Sequence, residues 1–81
     1  MTVEECFVLA LRKWRRSAGI TQRQAGERAG LSKAAWGTRE RHGEHSPLSV
    51  LECIRVGIDP NELAASARRI AAVNGVKWPV P

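Results

Sequence analysis

Stop signals and restart signals follow each other so closely between Gly19 and Ser32 that only a short helix fits between them. Gly19 is followed by Thr21, Gly30 by Ser32 and Gly57 by Asp59. In each pair a glycine able to take positive φ ends one helix, and a side-chain oxygen two residues on caps the next. Only eight residues lie between Thr21 and Gly30. Gln24 stands three residues after Thr21, the spacing of a capping box, so a helix over 22–29 is predicted. Gly30, Leu31 and Ser32 then form a tight turn, with Leu31 pointing inward, before a third helix from Lys33 to Glu40 or Arg41.

The flanking segments read as helices too. Cys6, Phe7, Ala10, Leu11, Trp14 and Ala18 recur at three- and four-residue intervals and predict a helix over about 3–17. Arg12, Lys13, Arg15 and Arg16 fill the rest of its C-terminal half, where cations suit the helix dipole. After a polar stretch over 42–46, Pro47 is the expected start of a fourth helix ending at Gly57. Its apolar set is Leu48, Leu51 and Ile54, with Val50 and Val56 as further candidates. Asp59, Pro60 and Glu62 open a fifth helix, with Leu63, Ala67, Ile70, Ala71 and Val73 on its apolar face, running to Asn74 and Gly75. Pro79 and Pro81 keep the tail around Trp78 out of a helix. With no Tyr, one Phe and scattered Val and Ile, sheet is disfavoured. The expectation is an all-α, five-helix domain over 1–75 with an extended tail over 76–81.

Charge narrows the partners. The 81 residues carry 13 Lys and Arg against 8 Asp and Glu, a net +5, and nine of the cations precede residue 46. A polyanion is the natural partner of such a field, with solubility as the plainer explanation. No stretch is long and apolar enough to cross a bilayer, and the acidic start through Glu4 and Glu5 begins no signal peptide, so a cytoplasmic protein is expected. Cys6 and Cys53 sit inside apolar helical patterns and are expected to fill the core rather than pair. No CxxC occurs and His42 and His45 are the only histidines, so no metal is expected. No nucleophile stands with a base, no carboxylate pair stands in an apolar setting and no glycine loop suits phosphate. Neither an enzyme, a cofactor nor a small-molecule ligand is expected.

Leu11, Arg12 and Arg15, then Gly19-Ile20-Thr21-Gln22, Gly30-Leu31-Ser32, Trp36, Glu40 and Pro47 together resemble the Cro and lambda-repressor-like family. The likeness extends over about 11–63, with the fourth helix one residue shorter than usual. It implies a helix-turn-helix at about 21–40 whose third helix enters the major groove of double-stranded DNA. Family base-reading positions fall on Lys33, Ala34 and Thr38, and helical periodicity adds Gly37 to the same exposed face. Gly37 has two readings, close approach of DNA or close packing of another helix. Gln22 matches a phosphate-binding position, with a solvated first-turn glutamine as the alternative; Thr21, Arg23 and Ser32 join it at the helix starts. Arg41, His42 and His45 follow the reading helix and are expected to meet phosphates. Arg15 and Glu40 match a salt bridge between the first helix and the end of the third.

The chain also departs from the family. Ala25 and Gly26 replace bulkier residues, and Trp14 and Trp36 are expected to fill the space left. Arg39 replaces an apolar residue and is expected to find Glu27, Glu40 or Glu44. The resemblance implies a small phage-type or chromosomal bacterial regulator, Cro or repressor, acting on the nucleoid. The competing function is an antitoxin or adaptor that keeps the fold without the DNA contacts. A homodimer would use the C-terminal helix or the Trp78 tail, unless that tail folds over its own domain.

Overall fold

The helices begin where the sequence sets an oxygen beside a run of helix formers. The computed structural model describes residues 1–41 and 48–79. Among them are α1 (Val3–Ala18), α2 (Gln22–Ala29), α3 (Lys33–Arg39), α4 (Val50–Val56) and α5 (Pro60–Val73), and no strand. Thr2, Thr21, Ser32, Ser49 and Asp59 each accept a backbone N–H from the first turn that follows. The Thr21 and Gln24 capping box is closed in both directions, at 3.1 and 2.9 Å.

α4 departs from expectation. It does not begin at Pro47, which lies outside the described residues, but after Ser49. The reason is a second reciprocal box: the Glu52 amide donates to Ser49 Oγ at 3.1 Å, and the Ser49 amide donates to Glu52 Oε1 at 2.9 Å. The face α4 buries also differs. Leu48, Cys53 and Val56 are in the core, whereas Val50, Leu51 and Ile54 are exposed. A two-turn helix packed on one side against α2 and α5 can bury only one flank, and the pair Cys53 and Val56, three residues apart, occupies it.

The core sits between α1 and α5, with the α2–α3 unit closing one end. Cys6, Ala10 and Leu11 of α1 face Leu63, Ala67 and Ala71 of α5, and Trp36, Ala25, Ala29, Val56 and Ile58 complete the cluster. Both cysteines are free and buried, and burial pushes the Cys53 thiol up, with the Glu52 charge adding to it. Ala18 and Val73, expected on apolar faces, are exposed; both fall in the last turn of their helices, beyond the packed stretch. The tail covers its own domain. Val76 packs on the core, and the Trp78 ring lies 5.7 Å from that of Phe7. No described helix is long and apolar enough to cross a membrane.

Gly26 explains the small residues of α2. A Cβ there would lie 2.9 Å from the Leu31 carbonyl oxygen and 3.1 Å from that of Ser32. The turn backbone therefore rests directly on α2, and the Leu31 amide donates to the Gly26 carbonyl at 2.8 Å. Trp36 does fill the core, but Trp14 lines a groove between α1 and α5 with Ile58 and Leu63. Closeness of the turn, rather than tryptophan filling, sets the size limit at Gly26. Gly26→Ala is expected to cost about 1–3 kcal/mol in urea unfolding, because two backbone carbonyls must move; a loss under about 0.5 kcal/mol would show that the turn yields freely.

Candidate functional site

α3 is seven residues long, too short to hold a position by helix propensity alone. Its place is set at its C-terminal end by one buried carboxylate. Glu40, the C-cap, is 1% exposed. Arg15 of α1 grips it as a fork, with Nε donating to Oε2 at 2.6 Å and Nη2 to Oε1 at 3.1 Å. The buried Trp36 indole donates to Oε2, and Gln22 Nε2 donates to Oε1 at 3.4 Å. Arg12, one turn before Arg15, donates to the Glu40 carbonyl, while Arg15 Nη1 also donates to the Ile20 carbonyl at 3.0 Å. Three helices thus converge on a single acid, and no buried side-chain N or O among the described residues lacks a partner.

The electrostatics follow from that geometry. Burial alone would raise the Glu40 pKa. The Arg15 hydrogen bonds, the Trp36 indole, the Arg15 charge and the Gln22 amide together outweigh it and hold the carboxyl below its ordinary 4.5. The acid is ionised and matched, so it adds no free negative charge to the surface beside it. The expected Arg15 and Glu40 pair is present. Arg12 is a partner that pattern reading left among the surface cations; its i, i+3 relation to Arg15, on the same face of α1, was the available signal.

α3 meets the bundle chiefly through α2 and turns its other flank outward. Lys33 and Ala34 are exposed, and no acidic residue occurs between Lys33 and Arg39. Thr38 is half-buried, and its hydroxyl donates to the Ala34 carbonyl at 3.1 Å, leaving oxygen lone pairs and a methyl for any partner. Gln22, Lys33, Ala34, Gly37 and Arg41 line one shallow groove. Arg41 is exposed, with Nε donating to the Gly37 carbonyl at 3.3 Å. Thr21, Arg23 and Ser32 are exposed at the helix starts, where the Thr21 and Ser32 hydroxyl oxygens serve as caps. His42 and His45 lie outside the described residues.

Two expectations at this site need correction. Gly37, placed on the exposed face by periodicity, is buried, because with no side chain of its own it is covered by neighbours. A Cβ there would meet only Gln22 Oε1, at 3.8 Å, an ordinary contact, so no helix packing requires the glycine. Arg39 pairs with Glu52 of α4 at 3.6 Å, an acid not among the expected partners; Glu40 is enclosed by its four donors, and Glu44, another expected partner, lies outside the described residues. Among the described residues no group of three His, Cys, Asp or Glu side chains could hold a metal ion. No family model, curated protein or solved structure matches this chain.

Glu40→Ala is expected to destabilise the fold by about 3 kcal/mol in urea unfolding, since it strands the Arg15 guanidinium and the Trp36 indole; a loss below about 1 kcal/mol would mean the cluster carries little. The depressed carboxyl also has a pH signature. Its contribution is complete above the ordinary 4.5 and is lost as pH falls through the lower folded-state value. Glu40→Gln should therefore lose stability less steeply than the parent below pH 4.5. Equal slopes for the two proteins in thermal melts would contradict the assignment.

Proposed function

We propose that this chain binds double-stranded DNA as a small transcriptional regulator of the lambda-repressor-like kind, with α2 and α3 as a helix-turn-helix. The observation that carries the proposal is the outward flank of α3: Lys33 and Ala34 exposed, Arg41 two turns on, and the buried acid Glu40 neutralised from within. A major groove accepts a helix of this width, and DNA favours a flank without free carboxylates. Lys33 donates to guanine acceptors, Ala34 and the Thr38 methyl give apolar contact with thymine, and Gln22, Arg23 and Arg41 meet phosphates. The Gln22 amide group is shared with Glu40, so a phosphate seated there would be tied directly to the buried cluster.

The same surface offers few hydrogen-bond donors to bases, since Ala34 has none and the Thr38 hydroxyl is turned to its own helix. That favours a second reading, a protein-binding antitoxin or adaptor on the same fold. Salt separates them. Binding of a fluorescent duplex pool driven by about four phosphate contacts should weaken roughly 100-fold between about 50 and 200 mM salt. Binding that ignores salt, or no binding at any salt, favours the adaptor. On a site selected from genomic fragments, Lys33→Ala and Thr38→Ala should lower preference for that site, while Gln22→Ala should weaken all sequences alike.

Gly37 gives an independent check. Gly37→Ala should raise stability by up to about 1 kcal/mol, since alanine favours the helix and meets no obstacle. It should also weaken DNA binding by about 1 kcal/mol, roughly fivefold, because the new methyl group enters the groove between Gln22 and Arg41. Unchanged affinity in a stabilised protein would remove Gly37 from the interface.

A further inference from the structure

Between α1 and α5 runs a valley that the core does not fill. It consists of two shallow hollows end to end, and neither shares a residue with the groove beside α3. One has an apolar floor of Ala10, Trp14, Ile58 and Leu63. The other ends on Ile70 and Val73. Lys13, Ser66 and Arg69 line both, so the valley runs from apolar through cationic to apolar again. Lys13 and Arg69, one from each wall, are exposed, and neither is in an ion pair with a described residue. Trp14 and Ile70 are half-buried and keep part of their apolar surface toward solvent.

We infer that this valley seats an acidic, amphipathic helical segment of another protein, with its acid between Lys13 and Arg69. Charge selects the acid: two cations line one stretch of an apolar valley, no described acid pairs with either, and a carboxylate between them gains from both. Spacing selects the helix. On α5 the lining residues Glu62, Ser66, Arg69 and Val73 step by one turn and extend over about 17 Å. A helix laid alongside steps likewise, so apolar side chains about one turn before and after its acid meet the Trp14 and Ile70 ends. Openness selects a polypeptide over a small molecule, which needs most of its surface enclosed.

DNA does not suit this valley. Its floor is mainly apolar, and Glu62 at the Trp14 end repels a phosphate. Glu62 also gives the bound segment a direction, since a second acid is disfavoured at that end and a neutral or basic residue is favoured. A valley of this length makes a small interface, in the size class of transient complexes. The site stands apart from the DNA-binding proposal for α3, and its test uses no DNA.

Selection of random peptides of about twelve residues, displayed on phage, against the full chain tests the site. Enriched peptides should carry an acid with apolar residues about one turn before and after it. A synthetic copy of the leading peptide, followed by fluorescence anisotropy, should bind Lys13→Gln with Arg69→Gln about tenfold more weakly than the parent. Arg23→Gln with Lys33→Gln removes the same charge elsewhere, and Leu51→Gln with Ile54→Gln removes exposed apolar side chains of α4; both should bind as the parent does. If the first pair melts lower than the parent, Lys13→Glu with Arg69→Glu should bind the peptide whose acid is changed to lysine, which an unfolded chain would not do. No enriched peptide, enrichment without an acid, binding that survives the loss of Lys13 and Arg69, or binding lost in either control pair overturns the site. Each of these results leaves DNA binding through α3 untouched.

Discussion

One buried carboxylate organises the end of this molecule that faces outward. Taking an ionised Glu40 out of water costs several kcal/mol unless it is fully partnered, and a fork from Arg15, an indole N–H and an amide supply those partners. Each donor comes from a different place: α1, the buried face of α3, and the start of α2. Satisfying the acid therefore fixes three helices relative to one another. Hydrophobic packing alone would not do this for α3, whose seven residues bury little besides Trp36. The directional geometry of charge-assisted hydrogen bonds replaces area as the source of position.

That arrangement also shapes the outer surface. Glu40 is matched from within, and the charged residues lining the groove beside α3 are Lys33 and Arg41. Because Gln22 bridges to Glu40, anything that grips Gln22 from outside pulls on the same network that orients α3. Gly26 and Gly37 look alike in the sequence and differ in cause. Gly26 is demanded by the fold, since two turn carbonyls occupy the space of its missing Cβ, while a Cβ at Gly37 would meet Gln22 Oε1 at 3.8 Å, an ordinary contact.

Much of the fold was legible because it is written in local signals. Helix starts at Thr21, Ser32 and Asp59, stops at Gly19, Gly30 and Gly57, and the α1 face of Cys6, Ala10 and Leu11 all follow from capping and periodicity. The Arg15 and Glu40 pair was legible only through resemblance, since twenty-five residues separate its members. What pattern reading missed depends on tertiary neighbours. On α4, periodicity admits more apolar residues than the core has room for, so Leu51 and Ile54 were expected inside and lie outside. The Ser49 and Glu52 capping box competes with Pro47 as a start signal and prevails by satisfying two backbone donors where proline satisfies none. Arg39 reached Glu52 because α4 brings that acid alongside α3, a proximity no local rule contains.

The central claim is that the Glu40 cluster presents the outer flank of α3, with Gln22 beside it, to double-stranded DNA. Mapping backbone amide shifts by NMR while a duplex is titrated in tests this residue by residue. The account predicts the largest shifts at Gln22, Arg23, Lys33, Ala34, Gly37, Thr38 and Arg41, with the Arg15 side chain responding through Glu40. Shifts concentrated on α1 and α5 while these residues stay still would contradict it.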